Sequence, residues 1–187
     1  MKKESLNAWK KFFSTFRTEV EELGWEVLER AWSSDTERTE YYLSLILPRM
    51  ASNLKLRSTR EQYSVDYVMF TDSGVPWAFV QTENDIANTY DEVCKLCCFT
   101  APVRVLITVS EWNSSLGGWT HPGYRSFYLP AWQELVEKYN KVWPRVGVLS
   151  VIVGERGRDG IIRFYSYVFN TDGKLVQKAE PAFALGS

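Results

Sequence analysis

Asp66 stands alone among Val65, Tyr67, Val68 and Met69, in a run whose β-branched and aromatic content reads as a strand. A carboxylate inside an apolar strand is costly to bury unless it is paired or binds a cation. Downstream, Trp77 to Glu83 reads as a second strand. Alternation there puts Phe79, Gln81 and Glu83 on one face and Ala78, Val80 and Thr82 on the other. If the turn Asp72-Ser73-Gly74 makes the two strands neighbours, Asp66, Gln81 and Glu83 converge near the strand ends. Oxygen ligands of this kind suit Mg²⁺ or Mn²⁺.

These strands sit in a stretch from Thr36 to Thr108 ordered helix, strand, turn, strand, helix, strand. With Asp66 followed by the triplet Gln81-Thr82-Glu83, and Glu40 on the preceding helix, the stretch resembles the PD-(D/E)xK nuclease-like superfamily, which includes restriction endonucleases and Holliday-junction resolvases. There an aspartate on one strand is followed, after a turn, by an acid-x-lysine triplet on the next, often joined by a helical glutamate. Two positions depart from the pattern: Gln81 replaces the first acid and Glu83 the lysine. Members that move the lysine onto the next helix point to Lys95 here, whose alternative is a surface pair with Asp91. Glu37, one turn from Glu40, competes for the helical role.

The resemblance implies metal-assisted phosphodiester hydrolysis of DNA. Asp66 and Glu83 would hold one or two Mg²⁺ (or Mn²⁺), Gln81 would assist, and water made more acidic by the metal would attack phosphorus. Arg57 and Arg60, just upstream, would hold the phosphate backbone, or simply lie in a solvated loop. Cutting both strands of a duplex points to a homodimer. The rival is an inactive nuclease-like domain that binds nucleic acid or protein, favoured by Gln81 and by the missing triplet lysine.

Other chemistry finds less support. Cys94 and Cys97 fall on the apolar side of the helix with Tyr90 and Val93, so they read as small core residues rather than a redox or zinc pair. His121 has no Ser, Cys or His partner at catalytic spacing. Trp112 and Trp119, in a Gly-rich loop spanning Glu111 to Pro130, are placed to stack on bases if that loop borders a site.

The elements that must position these residues follow from periodicity. Trp9, Phe12, Phe13, Phe16, Val20 and Leu23 form a helical stripe that Gly24 should end, and a short mixed segment runs from Trp25 to Trp32. A helix over Thr36 to Met50 is apolar nearly all round except for the line Glu37, Glu40, Ser44, with Pro48 an awkward residue in its last turn. A helix from Ile86 to Phe99 leads to a strand over Val103 to Thr108. After the loop come a helix over Ala131 to Val142, strands over Gly147 to Val153 and Ile161 to Phe169, a turn at Thr171-Asp172-Gly173, and a short strand near Leu175-Val176.

The expected fold is therefore α/β: one domain with a central mixed β-sheet flanked by helices. It has a restriction endonuclease-like core over 36–108, an N-terminal helical segment over 1–35, and a C-terminal helix and strand meander over 131–180. With 187 residues, 45% hydrophobic and 15% aromatic, the chain can bury a sizeable core. Its 22 basic and 23 acidic residues nearly balance, so polyanion binding must be local. No leader-like apolar run follows Met1, and no stretch approaches the roughly 18 apolar residues of a membrane span, so a cytoplasmic location is expected.

Overall fold

The computed structural model describes residues 3–120, 124–144, 146–170, 172–177 and 181–186. His121 and the Pro122-Gly123 turn lie outside them. The architecture is α/β. A mixed sheet of nine strands has the path β1-β2-β3-β4-β6-β7-β8, with β5 paired to β4 and β9 to β7.

The first helix, α1 (Lys3–Ala31), does not stop at Gly24 but passes through it with a kink, because glycine adopts the positive φ of 76° without a Cβ penalty. The expected helix from Thr36 is three pieces: α2 (Asp35–Glu40), a π-helical turn (Tyr41–Ile46) and α3 (Leu47–Leu54). Pro48 falls in the first turn of α3, where its missing N–H is harmless, so the helix continues past Met50. Next come β1 (Arg57–Gln62), β2 (Val65–Phe70) and β3 (Pro76–Glu83), an antiparallel run. The strand β1 was not expected, since its polar sequence carries no alternation. As an edge strand its charged side chains deter pairing with another sheet.

A 3₁₀ turn (Ile86–Asn88), capped by the Asp85 carboxylate accepting from the Ala87 N–H at 2.9 Å, leads into α4 (Thr89–Cys97). The chain returns as β4 (Val103–Asn113), pairs briefly with β5 (Gly118–Trp119), and crosses through α5 (Tyr128–Val142) to β6 (Val148–Arg156). Strands β3, β4 and β6 are parallel. The strand order advances in one direction, so α4 and α5 share one face of the sheet. Antiparallel β7 (Ile162–Phe169), β8 (Leu175–Gln177) and an unexpected β9 (Pro181–Leu185) complete the far edge.

Each face has its own core. Trp9, Phe12, Phe16, Tyr42 and Ile46 pack with Val80, Val105 and Phe164 under the N-terminal helices. Val93, Leu96, Trp132 and Leu135 pack with Phe79, Leu106 and Val151 under α4 and α5. Cys97 is buried in this second core as a small apolar residue, while Cys94 lies at its margin with Sγ 3.1 Å from the Tyr139 hydroxyl. No helix among the described residues is long and apolar enough to cross a membrane.

Candidate active site

Strand β2 opposes β3 with Tyr67 against Val80, which sets Asp66 beside Gln81. The Asp66 amide N–H donates to Gln81 Oε1 at 2.6 Å. The Asp66 carboxylate turns to the following residue: Oδ2 accepts from the Thr82 N–H at 2.7 Å and from Thr82 Oγ1 at 2.9 Å. Gln81 is 1% exposed, and its amide nitrogen donates to Glu92 Oε2 on α4. Glu92 in turn receives Lys95 Nζ at 2.9 and 3.1 Å. A continuous row Asp66, Gln81, Glu92, Lys95 therefore runs from the hairpin to the crossover helix.

Glu83 flanks this row at the end of β3, two residues beyond Gln81 on the same face. Its Oε1 accepts the Asp85 N–H at 2.8 Å. Burial holds the Glu83 carboxyl above its ordinary value, and the charges of Glu92 and Asp85 push the same way, against the lowering effect of hydrogen bonds from the Asp85 and Asn84 amides. Among the described residues neither Asp66 nor Glu83 forms an ion pair with an arginine or lysine. The structure thus ties the Asp66 backbone to Gln81 and, through Glu92, to Lys95, with Glu83 near Glu92, whereas the Asp66 carboxylate is bonded to Thr82 and not to Gln81 or Glu83.

Lys95 pairs with Glu92, not with Asp91. Glu92 went unnoticed in the sequence, although its spacing of three from Lys95 on a helix was an available signal. Glu40 stands apart. Its carboxylate is held by Ser44 Oγ and, at 3.4 Å, by Arg60 Nη2, which together lower its pKa on an exposed surface. It makes no hydrogen bond or ion pair with Asp66, Gln81 or Glu83. Arg60 also reaches Ser44 Oγ at 2.8 Å, and Arg57 Nη2 donates to the Asp72 carbonyl at 3.2 Å in the turn between β2 and β3. Both arginines are therefore engaged within the chain as well as exposed to solvent.

On the sheet's other face, Arg38 is 4% exposed and donates to Asn84 Oδ1 at 2.8 Å, to Glu111 Oε1 at 3.0 Å and to Asp35. Its guanidinium lies 5.5 Å over the Trp32 ring. Asn84 is thereby fixed directly after Glu83, and its Nδ2 donates to Thr39 Oγ1 at 2.8 Å and to the Asp35 carbonyl at 3.1 Å. The i,i+3 spacing to Asp35 was the only local signal for Arg38, since Asn84 and Glu111 lie far along the chain.

Chemically, Asp66 Oδ1 accepts no hydrogen bond from the described residues, and Glu83 is a partly buried acid beside two other carboxylates. Oxygen donors without a cation partner fit a hard divalent ion. No group of three or more His, Cys, Asp and Glu with metal-holding geometry occurs among the described residues. No family model, no curated protein and no solved structure matches the chain.

Proposed function

We propose that this protein hydrolyses phosphodiester bonds in DNA in a Mg²⁺-dependent way, with the PD-(D/E)xK-like constellation as its site. The row Asp66, Gln81, Glu92, Lys95 with Glu83 at its flank supports this reading, because it links the strand that carries Asp66 to a helical acid and a helical lysine, with a second strand acid close to Glu92. Asp66 and Glu83 would hold the ion, and Glu92, close to Glu83, is already paired with Lys95. When bound, Mg²⁺ supplies charge compensation on the phosphate and makes water more acidic. Gln81, with its carbonyl turned to the Asp66 N–H and its amide to Glu92, fixes the Asp66 backbone and holds the Glu92 carboxylate in this arrangement. Lys95 brings the positive charge that the triplet lacks. Arg57 and Arg60, exposed near the hairpin, are candidates for the phosphate backbone.

A non-catalytic binding module is the second reading. It is favoured by Gln81, whose carbonyl is already occupied within the chain. Titration calorimetry with Mn²⁺ and Mg²⁺, followed by incubation with plasmid and oligonucleotides, separates the two. The enzyme reading expects metal binding and cleavage in the wild type, and loss of both in Asp66→Asn and Glu83→Ala that still give a folded circular dichroism spectrum. A wild type that binds no metal and cuts nothing removes it.

A further inference from the structure

A second polar centre lies on the same face of the sheet. In register, Glu83 on β3 stands beside Thr108 on β4, Val153 on β6 and Tyr165 on β7. At about 4.8 Å per strand, Tyr165 is roughly 14 Å from Glu83. There Trp119, Glu155, Arg158, Arg163 and Tyr165 border a cavity of about 530 Å³ open to solvent, which is within the range of small-ligand sites.

Glu155 is what makes the cavity unusual. Its side chain is 9% exposed, and Oε2 receives the Tyr124 hydroxyl at 3.2 Å and the Arg125 guanidinium. Its other oxygen accepts nothing from the described residues, and Glu155 lines the cavity. Arg125 is itself held between rings, 4.5 Å from the centroid of Tyr124 and 4.7 Å from that of Tyr165. Across the cavity the Trp119 indole meets Trp112 edge to face, 5.6 Å away at 86°, which fixes its plane. Arg163 is neutralised by Asp159 at 2.6 Å, whereas Arg158 is exposed and forms no ion pair among the described residues.

A flat aromatic face, a carboxylate oxygen without a partner among the described residues and an exposed guanidinium without an ion pair among them suit a flat ligand with a donor edge and an anionic tail. We infer that the cavity binds one unpaired nucleotide of a single-stranded nucleic acid, with its base on Trp119, its donor edge at Glu155 and its phosphate at Arg158. A base inside a duplex presents neither a free face nor a free Watson–Crick edge and is excluded. As a subsite for the strand cut near Asp66 and Glu83 the inference rests on the proposed activity, but binding in the cavity needs no metal.

Fluorescence anisotropy with a short labelled single strand, as DNA and as RNA, and with the matching hairpin duplex, all in EDTA, tests it. The single strand should bind more tightly than the duplex. Trp119→Ala and Arg158→Glu should each weaken binding about tenfold or more, and Trp119→Phe should retain it. A wild type that binds no single strand, a duplex that binds equally well, or an unaltered affinity in both Trp119→Ala and Arg158→Glu overturns the inference. Single-strand binding with this variant pattern but no cleavage in Mg²⁺ upholds the cavity and removes the nuclease. Cleavage with affinity unaltered in both variants does the reverse.

Discussion

Gln81 bridges a strand and a helix: its carbonyl takes the Asp66 N–H at 2.6 Å, and its amide nitrogen donates to Glu92 on α4. A neutral amide is the one side chain of this shape that satisfies an N–H and a carboxylate at once. Gln81→Glu restores the acid of the nuclease triplet but sets two carboxylates against each other. The variant should lose about 1–3 kcal/mol at pH 7.5 in EDTA and recover part of it in Mg²⁺ or at pH 5. Equal melting temperatures for variant and wild type in EDTA would contradict the bridge.

Glu83 gives a pH dependence with a definite sign. Its folded pKa lies above the ordinary value of 4.5, so the folded protein holds that proton more tightly than the unfolded chain. Stability therefore falls as pH rises from 4.5 through the raised folded value, and the deficit stays constant above it. Glu83→Gln should melt close to the wild type at pH 4 and higher than the wild type at pH 8. Saturating Mg²⁺ should narrow the difference at pH 8 by raising the wild type alone. Melting curves at both pH values, with and without Mg²⁺, read this directly.

Lys95 is anchored by Glu92 through two nitrogen–oxygen distances, 2.9 and 3.1 Å, on a part-buried helix face. Lys95→Met keeps the stem and removes the charge. Its stability should change by less than about 1 kcal/mol, since the pair is partly solvated. Cleavage of plasmid should fall by about a hundredfold or more if this lysine supports the developing phosphate charge. Undiminished cleavage would reduce Lys95 to a helix pair.

Arg38 holds the segment after Glu83 by bonding Asn84 and Glu111 while lying on Trp32. Arg38→Met should cost about 2–4 kcal/mol, because Asn84 Oδ1 loses its donor and the Trp32 ring loses its cation. Chemical denaturation measures the loss, and a value under about 1 kcal/mol would show that water replaces the guanidinium.

Local patterns carried much of the architecture. The limits of β2 follow from its β-branched and aromatic content, and the face shared by Phe79, Gln81 and Glu83 from a period of two. Gly24 misled because a glycine can kink a helix as well as end one, and the apolar flanks Val20 and Leu28 are both buried in the first core. Strands β1 and β9 were missed because edge strands carry polar or irregular sequences that hydrogen-bond pairing alone makes extended. The π turn was unreadable, since a widened turn depends on how Tyr41 and Tyr42 pack and not on any residue's propensity.

By itself the sequence determined that Asp66, Gln81 and Glu83 lie on adjacent strands of an α/β fold, because strand alternation and turn chemistry act over a few residues. Only the tertiary structure decided what those residues meet. The crossover that lays α4 on the sheet brings Glu92 and Lys95 to Gln81, while the N-terminal helices tie Glu40 to Arg60 away from that row. Such choices are set by which buried faces dock, and docking joins residues whose separation along the chain leaves no period to read.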